Sequence, residues 1–172
     1  MTKPFDCAIN QRTFIAVPPE EVYDAITSAD HWDKFFTTGM ELDPTPGGKC
    51  VFRWKDWGPD FYSLAADGRT VAAERPHRFA FQWYPAGKEE GTTITFSLEG
   101  KYGGTVLTIT EDGYPDTPEG RRAILECASG WGEAATLLKF YMEHGTVYTP
   151  PRKSPPSGSH FTPLDKDSEE DR

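Results

Sequence analysis

Residues 116–145, DTPEGRRAILECASGWGEAATLLKFYMEHG, decide the fold, because they predict one long helix that the rest of the chain must cover. The segment opens on a capping residue followed by Pro118 and Glu119, which is typical of a helix start. Apolar residues then recur at helical spacing until His144 and Gly145 supply a stop signal. The apolar positions are Ile124, Leu125, Ala128, Trp131, Ala135, Leu138 and Met142. We therefore predict a helix of about 25 residues.

Two glycines interrupt this helical pattern on either side of Trp131. Gly130 and Gly132 would each cost about 1 kcal/mol relative to alanine in a helix interior. We therefore expect either a close approach of another backbone or a bend at this point.

The middle of the chain alternates between apolar and polar residues in short runs, as half-buried strands do. A first run at 12–17 stands apart, and six more follow at 50–55, 61–66, 70–74, 79–84, 92–99 and 105–111. Turn residues such as Asp67-Gly68, Pro85-Ala86-Gly87 and Gly103-Gly104 separate most of these runs. The pattern predicts an antiparallel meander.

Two short helices are predicted between the first strand and this meander. Residues 18–21 place two prolines and two acids in a first helical turn, where both residue types are favoured. Asp30 is expected to cap a second short helix that carries Trp32 and Phe36.

This element order predicts an α+β domain in which a curved antiparallel sheet of about six or seven strands wraps around the long helix. Since sheet and helix contact well along only part of their length, we expect an apolar pocket between them. The residues expected at this pocket are Trp32, Phe36, Phe52, Trp54, Phe81, Trp83, Phe96, Glu111, Trp131 and Ala135. Aromatic residues at such spacing are also typical of an ordinary core, so both interpretations stay open.

Composition limits the classes of partner. The chain has 172 residues and a net charge of −9, so no nucleic-acid partner and no membrane insertion are expected. Three cysteines without a C-x-x-C pair argue against a disulfide framework.

Because residues 1–10 lack the apolar run of a signal peptide, we expect a cytoplasmic protein. We expect one domain at 1–148 and a disordered tail, rich in proline, serine and charge, at 149–172.

The sequence assigns no catalytic residue, metal site or cofactor. The histidines His31, His77, His144 and His160 are scattered, and no nucleophile-elbow motif occurs. Glu111 shares the parity of the apolar residues in its strand and could point inward, where desolvation would suit acid or base chemistry. Glu133 is a second candidate, and a solvated surface role is the alternative for both. Cys127 is interpreted as a small buried apolar residue.

Five segments, taken in order, resemble a known family. They are 17–27 (VPPEEVYDAIT), 46–48 (PGG), 76–83 (PHRFAFQW), 105–115 (TVLTITEDGYP) and 130–140 (GWGEAATLLKF). They are similar to the stand-alone proteins related to the activator of heat-shock protein 90 ATPase, within the START-like (SRPBCC) superfamily. The resemblance extends over residues 8–145 and implies a helix-grip fold. Across the superfamily it also implies binding of hydrophobic ligands such as lipids, sterols and polyketides.

Three functions follow as hypotheses. The first is a module that binds a small hydrophobic molecule. The second is an enzyme of the cyclase or hydrolase type that uses an inward-facing carboxylate. The third is a chaperone-associated interaction protein, although the sequence shows no counterpart of the N-terminal domain through which the co-chaperones engage their partner. A homodimer is left open, and fold alone does not decide among these functions.

Overall fold

The computed structural model describes residues 3–85 and 91–148. The predicted tail at 149–172 and part of the predicted turn at 85–87 lie outside the described residues. Within the described part, the elements in chain order are β1 (Ile9–Ile15), α1 (Pro19–Ile26), α2 (Ala29–Phe35), β2 (Glu41–Leu42), β3 (Lys49–Trp57), β4 (Tyr62–Glu74), β5 (Arg78–Trp83), β6 (Thr92–Lys101), β7 (Gly104–Asp112) and α3 (Pro118–His144).

The strands form one sheet in the order β1-β7-β6-β5-β4-β3-β2, with every neighbouring pair antiparallel. The strands after α2 pair with their sequence neighbours, and β1 closes the far edge by pairing with β7. This arrangement confirms the predicted α+β fold, in which a curved antiparallel sheet covers a long C-terminal helix and two short helices follow the first strand.

Three strands differ from the prediction. Strand β1 spans Ile9–Ile15 instead of 12–17, because its pairing with β7 begins at Ile9. The runs at 61–66 and 70–74 are one continuous strand, β4, so the predicted break at Asp67-Gly68 is wrong. Gly68 lies within the sheet because a Cβ there would stand 2.2 Å from the carbonyl oxygen of Gln82, a distance that only glycine avoids. The short strand β2 was not predicted, since two residues carry no alternating pattern.

The ends of α3 agree with the prediction, and one of the two explanations expected for its internal glycines does not. Thr117 caps the helix by accepting a hydrogen bond from the amide of Gly120 at 3.0 Å, and Gly145 ends it with a left-handed φ of 65°. A Cβ at Gly130 would meet nothing within 4 Å. At Gly132 it would meet only a side-chain atom, at an ordinary contact distance. Of the two explanations expected for these glycines, a close backbone approach is therefore wrong, and a bend stays a prediction.

Helix α1 begins where its prolines and acids predict. The predicted cap of α2, Asp30, is wrong. The residue before α2 is Ser28, in extended conformation, and Asp30 lies in the first turn rather than at the cap. The buried side chains of both helices face the sheet and α3, so the helices close one end of the core: Val22, Tyr23, Ala25 and Ile26 in α1, and Trp32 and Phe35 in α2.

Candidate functional site

The interior of the protein is an aromatic cluster centred on Trp131 of α3. The Trp131 ring lies 5.3 Å from the ring of Trp83 and 5.7 Å from that of Phe96, measured between ring centroids. It also contacts Phe52 and Phe81 at 6.1 and 6.2 Å. These four partners come from β3, β5 and β6, because the inward parity of each strand turns its aromatic residues toward the helix.

Helix α2 completes the aromatic cluster from the side. Trp32 packs against Phe52 at 5.0 Å and against Phe96 at 6.0 Å. Its indole donates a hydrogen bond of 2.8 Å to the carbonyl oxygen of Ile26, which fixes the ring. Phe36, just after α2, meets Trp54 edge to face at 5.6 Å.

The structure brings the ten residues named in the sequence analysis into one buried region, where each is at most 8% exposed. At the level of Trp131 the rings contact one another, whereas the sequence pattern predicts an apolar pocket there. The rings are in contact because the indole of Trp131 is large enough to span the distance from α3 to the sheet. Contact of these residues with a ligand stays a prediction.

Glu111 is the one carboxyl group buried within this cluster among the described residues, and it is 0% exposed. Its Oε1 accepts hydrogen bonds from the Trp83 indole at 2.7 Å and from the Thr92 hydroxyl at 2.6 Å. Its Oε2 accepts one from the Trp131 indole at 2.6 Å. Both carboxyl oxygens are therefore engaged, as a buried polar group requires.

Two further titratable groups lie beside this carboxyl. Burial raises the pKa of the Tyr114 phenol far above its usual range, and the charge of nearby Glu111 acts in the same direction. Burial raises the pKa of the Cys127 thiol to about 12. A thiol that stays protonated at neutral pH is a poor nucleophile, which suits the interpretation of Cys127 as a packing residue.

Sequence reasoning missed Thr92 and Tyr114 and gave Glu133 as an alternative to Glu111. Thr92 stands at the start of β6, where only the fold brings it to the carboxyl of Glu111. Tyr114 follows β7 in a segment without periodicity, although its Gly-Tyr-Pro setting is part of the family resemblance. Glu133 is exposed on α3, so its carboxyl does not belong to the buried aromatic cluster.

A separate feature is a surface groove of about 480 Å³ between the N-terminal segment and the first half of α3. The groove is lined by Phe5 and 7–11 on one side and by Arg121, Ile124, Leu125 and Ala128 on the other. Leu125 is 74% exposed there. The groove does not reach the aromatic cluster, since none of the ten cluster residues lines it.

Two classes of site are not found in the part of the chain that the structure describes. No helix there is long and apolar enough to cross a membrane. No group of three or more His, Cys, Asp or Glu side chains within 3–85 and 91–148 is placed to hold a metal ion.

Solved structures share this fold. DynU16, from the dynemicin biosynthetic locus, is 19% identical with a TM-score of 0.69, and the match covers 83% of this chain and 49% of that one. This chain thus spans about half the length of DynU16. The Aha1 dimer from Colwellia psychrerythraea is 22% identical with a TM-score of 0.65, over 81% of this chain and 98% of that one. A protein from Rhodobacter sphaeroides is 28% identical with a TM-score of 0.63, over 81% and 95% of the respective chains.

Comparison with protein families gives a match over most of the chain. No curated protein matches this sequence. Residues 16–143 match the family described as Activator of Hsp90 ATPase homolog 1-like protein. The matched range contains both short helices, the meander and nearly all of α3, and therefore every residue of the aromatic cluster. The chain belongs to the family of Activator of Hsp90 ATPase homolog 1-like proteins.

Proposed function

We propose that this protein binds a small hydrophobic molecule between the inner face of its sheet and α3, in contact with the aromatic cluster around Trp131. The observation that carries the proposal is the fully buried carboxyl of Glu111, held by two indoles in an otherwise aromatic interior. Small-molecule sites are typically apolar and aromatic, with a few polar groups placed among them.

A core built only for stability gains little from a carboxyl group in this place. Burying a charged or polar group costs desolvation, and apolar replacements of buried ion pairs are often neutral or stabilising. Departures of this kind from simple core packing are expected at functional sites. The hydrogen bonds of Glu111 fix the planes of Trp83 and Trp131, so the carboxyl orients the two largest surfaces that a ligand would touch.

The enzyme hypothesis has less support from the same geometry. Both oxygens of Glu111 already accept hydrogen bonds from groups of the protein, and the two indoles can only donate. A general base needs an oxygen within reach of the substrate proton. The second carboxyl candidate, Glu133, is exposed on α3. Binding is therefore the function that the arrangement supports best.

Because the rings contact one another in the structure, we expect binding to separate some of them. The test is to incubate the purified protein with a metabolite extract and to identify retained molecules by native mass spectrometry. Ala135→Leu adds bulk on the buried face of α3 and should reduce retention, whereas Thr136→Leu adds it on the exposed face and should not. A protein that retains nothing, or equal retention by both variants, would contradict the proposal.

A further inference from the structure

Polar side-chain atoms without partners are concentrated at the junction between the end of α2 and β3. Within 3–85 and 91–148, four buried side-chain nitrogen or oxygen atoms lack a hydrogen-bond partner. Three of them belong to this junction, namely Nε1 of Trp54, Nε1 of Trp57 and Oγ1 of Thr38. The fourth is the hydroxyl of Tyr114.

The three residues of the α2–β3 junction are neighbours in space. Phe36 meets the ring of Trp54 at 5.6 Å and that of Trp57 at 5.7 Å, in both cases edge to face. The amide of Thr38 donates a hydrogen bond of 2.8 Å to the carbonyl oxygen of Arg53, which places Thr38 beside the same stretch of β3. Trp54 and Trp57 are only 7% and 1% exposed.

The unpaired indoles are an exception within this protein. The chain has five tryptophans, and the other three, Trp32, Trp83 and Trp131, each donate to an oxygen of the protein. More than about nine in ten buried polar groups are paired in native proteins. An unpaired buried donor is destabilising, so two of them at one junction need an explanation.

The junction is continuous with the aromatic cluster. The rings of Trp54 and Phe52 stack at 5.9 Å, and Phe52 in turn contacts Trp131 at 6.1 Å. A molecule whose apolar body lies against Trp131 could therefore present one end to the α2–β3 junction.

We propose that the α2–β3 junction receives a hydrogen-bond acceptor of the bound molecule, so that the ligand is an apolar ring system or chain bearing a neutral carbonyl-type oxygen. The inference rests on the proposed function and specifies its ligand class. An indole N–H can only donate, so its partner is an acceptor. We take the acceptor as neutral because Arg53, the cation that precedes Trp54 in β3, already bonds to Glu41 and to the carbonyl oxygen of Gly39.

Two probes of equal shape test this ligand class by calorimetric titration of the full chain. Fluorene is a hydrocarbon, and 9-fluorenone is the same ring system with one carbonyl oxygen. We expect fluorenone to bind about fivefold more tightly, as one added hydrogen bond would give. Trp54→Phe or Trp57→Phe should remove this preference. Tyr102→Phe, at an exposed position outside the aromatic cluster, is the control and should keep the preference.

The outcomes separate the two proposals. Equal affinity for both probes, or a preference that survives both tryptophan substitutions, would overturn the acceptor site and leave hydrophobic binding intact. Binding of neither probe would count against hydrophobic binding itself, and against the acceptor site with it. If the variants fail to fold, NMR of the unsubstituted protein tests the acceptor site instead. The indole N–H signal of Trp54 or Trp57 should then move downfield with fluorenone and not with fluorene, and identical shifts would overturn the acceptor site.

Discussion

The carboxyl of Glu111 on β7 accepts a hydrogen bond of 2.6 Å from the indole of Trp131 on α3, and so ties the helix to the sheet inside the core. The same carboxyl binds Trp83 of β5 and Thr92 of β6. One side chain thus links three neighbouring strands with the helix that they cover. The aromatic cluster derives its arrangement from this link as well as from ring packing.

Glu111→Gln should destabilise the protein although it hardly changes the shape of the side chain. The amide offers one acceptor oxygen in place of two, so at least one indole N–H of Trp83 or Trp131 loses its partner. We expect the free energy of unfolding to fall by about 1–3 kcal/mol. Urea denaturation measures this change.

The matched control for this substitution is Glu133→Gln on the exposed face of α3. A surface change of this type should alter the free energy of unfolding by less than about 0.5 kcal/mol. Equal stability of the Glu111→Gln variant and the unchanged chain would show that the carboxyl does not hold the indoles.

Two glycine substitutions should act in opposite directions. Gly130→Ala places a methyl group where nothing lies within 4 Å, so the free energy of unfolding should rise by about 0.5–1 kcal/mol through helix propensity. Gly68→Ala brings a Cβ against the backbone of Gln82 and should lower it by about 1–3 kcal/mol. Thermal unfolding compares the two variants, and a destabilised Gly130→Ala would mean that this glycine has a role in α3 beyond its open surroundings.

Thiol reactivity should separate the three cysteines. Cys7 is exposed, whereas burial raises the pKa of both Cys50 and Cys127 to about 12. Since the thiolate is the reactive form, only Cys7 should react rapidly with Ellman's reagent at pH 8. Denaturation should release all three thiols. Rapid reaction of a second thiol in the folded protein, with Cys7→Ser as the control, would contradict the burial of the other two.

Stability should also fall in alkaline solution. Unfolded cysteine loses its proton near a pKa of 9, but folded Cys50 and Cys127 keep theirs up to a pKa of about 12. Between these values the unfolded state binds fewer protons, so the free energy of unfolding decreases as the pH rises. Urea denaturation at pH 8 and pH 10 measures the slope, which Cys50→Ala with Cys127→Ala should reduce. A free energy of unfolding that stays constant or rises over this pH interval would contradict the raised pKa values of Cys50 and Cys127.

Local signals explain why the sequence predicts some elements and not others. The bounds of α3 depend on Thr117 and Gly145, whose effects are confined to their own turns. The continuity of β4 depends on how closely Gln82 of another strand approaches Gly68, and a turn glycine has the same local sequence appearance. Strand β2 exists because β3 is beside it, so its two residues show no pattern of their own.

The residues of the aromatic cluster divide in the same way, into features that the local sequence predicts and features that depend on tertiary contacts. Strand parity predicts which aromatic residues face inward, and it also places Glu111 on the buried side. The partners of Glu111 are not predictable in this way, since Trp131 and Trp83 are 20 and 28 residues away in the chain. The packing of Trp131 against the sheet depends on the distance between α3 and the strands, which no periodicity specifies.

Indole NMR tests hydrophobic binding at the aromatic cluster most directly, because the five tryptophans give five separate N–H signals and all five are buried in the core. On titration with fluorene, we predict saturable shifts of the Trp83 and Trp131 signals, as the ligand separates their rings. Unchanged indole signals, together with shifts of Ile124 and Leu125 in the surface groove, would place binding outside the core and contradict the proposed function.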